Sequence, residues 1–266
     1  MDRGRLACVG VGMMLGAHLT PRARSEIAHA EVVFAAVSDP LVEIWVQRMH
    51  PDVRSLQHCY ADGRSRHDTY RRMVSLMVDE VRAGRRVCGV FYGHPGVFAT
   101  VPHKAIAQAR EEGHEAHMEA AVSAEDCLYA DLGIDPGRTG CQHFETSQYM
   151  LYERTIDPSS YLILWQIGVA GDVSVTRTRT GPAHRGLLVE KLSAIYPSSH
   201  VVTLYEAATL PIRAARIEHF ALSKLRDATP TMHSTLVLPP AAPMKRDEAM
   251  RARIAELESS LGEVPA

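Results

Sequence analysis

An α/β architecture with a mostly parallel sheet is what this sequence predicts, on three observations. Short β-rich apolar runs alternate with stretches of helical periodicity along most of the chain. Glycines, prolines and N-capping residues punctuate the changes from one pattern to the other. At 266 residues and 46% hydrophobic, the chain is long enough for one large domain or two small ones with a substantial core.

The elements follow in order. "LACVGV" (Leu6 to Val11) reads as a buried strand and runs into a glycine-broken loop. In "TPRARSEIAHA", Thr20 is an N-cap and Pro21 occupies the first helical position. "EVVFAAV" (Glu31 to Val37) is a second strand. From Ser65 the pattern turns helical. Ser65 and Asp68 resemble a capping box, and Tyr70, Met73, Val74, Met77, Val78 and Val81 share one face. Gly84 closes that helix, and "RRVCGVFYG" is the next strand. "HKAIAQAREEG" is a helix ending at Gly113, and "EAHMEAAVSAEDCLYADLG" runs from strand through turn into helix. "YLILWQIG", "HVVTLYEAATLP" and "STLVLPP" are later strands, with a helix over Gly186 to Tyr196 before the middle one. After Pro239, Pro240 and Pro243 a charged helical tail follows, either packed on a partner chain or solvated.

Composition excludes several classes. A net charge of −2 gives no general electrostatic reason to bind nucleic acid or acidic membranes. The longest apolar runs, such as "YLILW", are far too short to span a bilayer. No basic-then-apolar signal segment opens the chain. Five cysteines without a C-x-x-C pair fit reduced thiols, so the expected location is the cytoplasm. The histidines show no HxH or HExxH spacing, and no metal site is expected.

Three loops and one polar segment are candidates for chemistry. "GVGMMLG" places Gly10, Gly12 and Gly16 after the first strand, but Leu15 breaks a G-x-G-x-x-G match. The loop serves either ligand approach or tight turning, and a nicotinamide oxidoreductase ranks last. "FYGHPGVF" turns through glycines at a strand's C-terminal end, where α/β sheets bind small molecules. "VSAEDCLYADLG" repeats that logic at Ser123 and Ala124, with Glu125 and Asp126 suited to a helix N-terminus. "HCYADGRSRHDTYRRM" sets Tyr60 and Tyr70 around Arg66, as either a proton-handling site or a polar loop leading into a packed helix.

Together, "YADGRSRHDTY", "YGHPGVF", "VSAEDCLYADLGIDP" and "LILWQIG" resemble the S-adenosylmethionine-dependent tetrapyrrole methylase superfamily, and within it the borosin peptide-backbone α-N-methyltransferases. The resemblance covers roughly residues 5 to 240. Corrin and porphyrin methylases usually have G-D-P where this chain has Gly93-His94-Pro95, and they lack the tyrosine-arginine segment. The resemblance implies two α/β subdomains with the cofactor in the cleft between them. The expected divisions are 1–112, 113–240 and a helical tail over 241–266. It also implies catalytic roles for Arg66, Tyr70, Tyr92 and Tyr60. Tyr92, His94, Val97, Ser123, Ala124, Gln166, Ala208, Ser234 and Thr235 would contact S-adenosylmethionine, with S-adenosylhomocysteine as product and no metal.

A backbone amide is a poor nucleophile because its nitrogen lone pair is delocalised, and its N–H is a weak acid. Methylation therefore needs a base, a donor for imidate oxygen and rigid alignment. Arg66 and Tyr70 share a helix face, and a guanidinium there would favour the Tyr70 phenolate, whose pKa starts near ~10. Tyr70 with Arg66 is expected to handle the amide proton while Tyr92 and Tyr60 position the amide. Which phenol is the base stays open.

Many fungal members carry their own substrate as a C-terminal extension. This chain stops at Ala266 with "LGEVPA", so the expectation is a split enzyme acting in trans on a precursor with a helical leader and an apolar core. The resemblance implies a homodimer, and two bound precursors would make it a heterotetramer. The alternatives are a corrin or porphyrin methyltransferase and an inactive peptide-binding scaffold of the same fold.

Overall fold

The computed structural model describes residues 3–37, 39–60, 65–174, 176–177 and 179–261. Residues 61–64 of the tyrosine-arginine segment and the terminal "GEVPA" lie outside the described residues.

The first unit contains β1 (Arg5–Gly10), α1 (Pro21–His29), β2 (Val32–Ala36), α2 (Pro40–Gln47), β3 (Val53–Ser55), α3 (Arg66–Arg82), β4 (Arg86–Phe91), α4 (Thr100–Glu111) and β5 (Glu115–Met118). Its sheet has the order β3-β2-β4-β1-β5, and every neighbouring pair is parallel. Successive strand residues face opposite sides, and helices cover both faces, so the central strands β1, β2 and β4 are apolar nearly throughout. Leu6 and Cys8 of β1 pack with α3 and α4 through Met73, Met77, Val81 and Ala105. Ala7 and Val9 pack with α1 and α2 through Ala23, Ile27, Val42 and Val46.

The second unit holds α5 (Ala124–Leu132), α6 (Pro136–Thr139), β6 (Cys141–Glu145), α7 (Thr146–Leu151), β7 (Tyr161–Trp165), α8 (Pro182–Ser193), β8 (Val201–Glu206), β9 (Arg216–Ala221) and β10 (Thr235–Leu238). Leu162, Leu164, Val202 and Leu204 pack with Leu188 and Leu192 of α8 on one face, and Ile163, Tyr205 and Val237 pack with Leu128 of α5 on the other. After it comes α9 (Glu248–Leu261), none of whose residues is buried.

Several expectations change. The second sheet, ordered β6-β7-β10-β8-β9, is mixed: only β6 and β7 are parallel, and the other three pairs are antiparallel. No helix of crossover length separates β8, β9 and β10, and short returns produce antiparallel neighbours. β5 pairs with β1, so the first sheet continues past residue 112 to Met118. Ser65 caps α3 by accepting a bond from the His67 amide at 3.1 Å, in place of a reciprocal box with Asp68. The reciprocal box forms instead at α5, between Ser123 and Asp126. α2, β3, β6 and β9 are additional elements. β6 ("CQHFE") and β9 ("RIEHFA") are polar edge strands with little apolar alternation to reveal them.

Candidate active site

The carboxyl ends of β1, β4, β7 and β8 and the start of β10 converge on a cleft between the two sheets. Two connected lobes of about 760 and 1010 Å³, both open to solvent, share Met13, Tyr92, Ala124, His233 and Thr235. Glycine sets the first loop's geometry. Gly12 and Gly93 exchange backbone hydrogen bonds of 3.2 and 2.9 Å, joining the β1 loop to the β4 loop. A Cβ on Gly10 would come within 2.1 Å of the Gly93 carbonyl oxygen. Gly10 therefore serves close packing of two loops, while Met13 of the same loop lines the cleft.

Tyr92, His94, Val97, Ser123, Ala124, Gln166 and Thr235 all line the first lobe, and Ala208 lines the second. Ser234 differs. It is fully buried behind the wall, donating to the Glu206 carboxylate and accepting from the Thr231 amide at 2.7 Å. Its hydroxyl thus braces Glu206, a lining residue that also receives bonds from Arg216 and Thr231 at 2.9 and 3.0 Å. Gln166 adopts a left-handed backbone (φ 60°), uncommon for a side-chain-bearing residue. Bonds on either side hold it there: Thr146 Oγ1 to the Trp165 carbonyl at 2.5 Å, and the Ile167 amide to the Ser234 carbonyl at 3.0 Å. Non-glycine strain of this kind clusters at ligand sites.

The fold also gathers the four expected catalytic side chains. Tyr60 is within hydrogen-bonding reach of Tyr70, and Tyr92 and Arg66 are close enough to act electrostatically on the Tyr60 phenol. Tyr60 and Tyr92 keep half or nearly half of their residue surface exposed, while their phenol ends lie deep enough to be desolvated. Desolvation, then the neighbouring Tyr70 and Tyr92, push the Tyr60 phenol above its ordinary pKa, against a smaller opposing pull from Arg66. Desolvation and Tyr70 raise the Tyr92 phenol likewise. Both remain O–H donors at neutral pH. Arg66, the first residue of α3, donates through Nη2 to Asp172 Oδ2 at 3.1 Å and to the Arg177 carbonyl at 2.9 Å. Much of its charge is therefore directed at a carboxylate of the second unit, a partner that spacing within "SRHDTY" did not reveal.

Sequence reading also missed an aromatic wall. Phe98, itself at φ 50°, packs on Trp165 with ring centroids 5.4 Å apart, and both line the cleft. The Trp165 indole donates to His143 Nδ1 at 3.2 Å, His143 Nε2 meets the Tyr129 hydroxyl at 2.9 Å, and that hydroxyl donates to Glu125 at 2.9 Å. Since Nδ1 accepts, the neutral ring carries its proton on Nε2, and the chain runs in one direction. Burial lowers the His143 pKa, which keeps the ring neutral despite nearby Glu125. Elsewhere, Glu26, His117 and Glu119 bring ligand-type atoms within 4.8 Å of one another. Arg5 and Arg22 already donate to those two carboxylates at 2.9 and 2.8 Å.

This fold and cleft are those of a methylase class. The description Tetrapyrrole (Corrin/Porphyrin) Methylases matches residues 5–225, and the chain belongs to that family. Its similar relatives include borosin precursors. A methyltransferase/ribosomally synthesized cyclic peptide precursor of gymnopeptides from Gymnopus fusipes is 39% identical over 241 residues, 89% of this chain and 57% of the relative. A type I borosin cyclic peptide precursor from Coprinopsis marcescibilis is 39% identical over 247 residues, 90% of this chain and 63% of the relative. The chain thus spans less than two thirds of the length of these two relatives. Among solved structures, a uroporphyrin-III-C-methyltransferase from Thermus thermophilus superimposes with a TM-score of 0.61 at 21% identity, covering 90% of this chain and 93% of that one.

Proposed function

We propose that the chain is an S-adenosylmethionine-dependent methyltransferase that methylates backbone amide nitrogens of a ribosomally made precursor peptide. The observation that carries this reading is the convergence of Tyr60, Tyr70, Tyr92 and Arg66 beside the cleft, in a chain similar to methyltransferase–precursor fusions.

The cleft's lining fits the cofactor. Phe98, Trp165, Val97 and Ala124 offer an apolar surface to a purine, while Gln166, Thr235, Glu206 and Arg216 offer polar partners to a ribose and an amino-acid group. When bound, S-adenosylmethionine supplies a methyl group activated on a sulfonium. The residues supply the rest. Tyr60 and Tyr92, kept protonated by their surroundings, donate to the substrate's carbonyl oxygen and favour its imidate character. Tyr70, one helical turn from Arg66, acts as its phenolate: it takes up the amide proton and becomes the phenol as the N–C bond forms. The two-sided cleft would orient the amide for transfer, and alignment of reacting groups lowers a barrier substantially.

Assembly as a homodimer belongs to this reading. Met250, Ile254, Leu257 and Leu261 are all exposed on α9, an apolar surface that a second copy would cover. Light scattering in solution checks it, and a monomer mass would remove it.

The first test is intact mass spectrometry of a precursor with a helical leader and a Val/Ile/Gly-rich core, co-expressed as a separate chain. Mass gains in steps of one methylene, located by fragmentation to backbone amides, support the reading and establish transfer in trans. Cofactor binding without any mass gain would move the substrate to a tetrapyrrole.

A further inference from the structure

Arg66 belongs to the first unit, yet its guanidinium is seated in the second. Asp172 follows the short 3-10 turn after β7, and its side chain is 2% exposed. Its two oxygens do different work. Oδ1 accepts from the Ser174 amide at 3.1 Å and from the Ser174 hydroxyl at 2.6 Å, which shapes its own loop. Oδ2 accepts from Arg66 Nη2 at 3.1 Å and from the Arg177 amide at 3.1 Å. Burial opposes the charge on this carboxylate, but the Ser174 and Arg177 bonds and the Arg66 charge outweigh it and keep the group ionised. The same Arg66 nitrogen also donates to the Arg177 carbonyl at 2.9 Å, so the guanidinium meets two acceptors of one loop. A long, flexible side chain held this way loses the rotamers that would carry it away from the phenols.

We infer that Asp172 is the positioning residue for Arg66, anchoring the start of α3 to the second subdomain so that the guanidinium stands beside Tyr60 and Tyr70 in one orientation. The inference rests on the proposed role of Arg66 in amide methylation. It goes further by placing part of the catalytic geometry 106 positions away, in the other half of the molecule. The cleft between the two units is then spanned by an ion pair at the reacting centre.

The division of labour between the two oxygens makes Asp172→Asn discriminating. Asparagine keeps one oxygen for the Ser174 turn and sets an amide NH₂ against Arg66 and the Arg177 amide, all of them donors. A residue that only shaped its own loop would tolerate this change. Four chains are compared: wild type, D172N, R66K and the double variant. Expected are a fall in kcat of about tenfold or more for D172N, an S-adenosylmethionine Kd within about twofold of wild type, and a double variant no worse than the poorer single one. Amide hydrogen exchange on the same proteins needs no peptide, and D172N should speed exchange over residues 66–72. Wild-type kcat in D172N, or additive losses in the double variant, would overturn the inference. So would unchanged exchange in α3. If the wild-type chain binds cofactor but methylates no peptide, the proposed function fails, and the exchange comparison still decides whether Asp172 anchors α3.

Discussion

At the scale of single residues, the candidate site is a set of phenols around one directed cation. Raised pKa values suit Tyr60 and Tyr92 to donating, and the proposed mechanism gives the amide proton to Tyr70. Tyr70→Phe should therefore lower methyl transfer about a hundredfold or more while leaving the cofactor Kd unchanged. Single-turnover assays beside calorimetric titration measure both. An equal fall in cofactor affinity would make Tyr70 a binding residue. The loop glycines act sterically. Gly10→Ala would force a methyl into the space held by the Gly93 carbonyl, with a 2.1 Å approach to backbone that cannot swing aside. The expected cost is about 3 kcal/mol, read from urea melts, and near-native stability would mean the two loops separate easily.

At the scale of elements, α3 sets the proposed catalytic residues on the first turn of the same face that packs on the sheet. Met73, Met77 and Val81 fasten it to the sheet, and its first turn delivers Arg66 and Tyr70. The Ser65 cap fixes where that turn begins, since its hydroxyl accepts the His67 amide. Ser65→Ala should cost about 1 kcal/mol and lower kcat as the start of α3 frays. A stability loss without a change in kcat would show that tertiary contacts alone hold Arg66 in place. α5 shows the same principle across the cleft, where the Ser123–Asp126 box holds Ala124 at the wall.

At the scale of the whole molecule, stability should fall on the alkaline side. Tyr149 and Tyr196 are 1% exposed in the second core, and burial pushes each phenol up to about 12. A phenol whose folded pKa is raised favours the folded state fully below its unfolded value, near ~10, and that contribution is lost as pH rises from there through the folded value. Thermal melts between pH 9 and 12 should show a falling Tm, and Tyr149→Phe should flatten the fall. A flat profile in the wild type would mean these phenols ionise without unfolding. Along the same axis, a variant lacking the Arg66–Asp172 pair loses an ion pair that joins the two units.

Strands β1, β2 and β4 of the first sheet, α1, α3, the YGHPG turn and the serine turn before α5 were legible in the sequence, because local signals specify them: continuous apolar runs, a Thr-Pro helix start, 3–4 spacing and glycines after strands. The wall residues Tyr92, His94, Val97, Ala124 and Gln166 could be named because the motifs that hold them resemble those of a known family. Polar edge strands β6 and β9, with mixed exposure and little periodicity, were not legible. Nor was the antiparallel return of β10, nor Ser234's place behind the wall. Tertiary structure alone decided the long-range pairings: Gly10 against Gly93, Trp165 through His143 to Glu125, and Asp172 against Arg66. The physical reason is that periodicity and capping act within a few residues, whereas a hydrogen bond between positions 66 and 172 exists only once two separately folded sheets face each other.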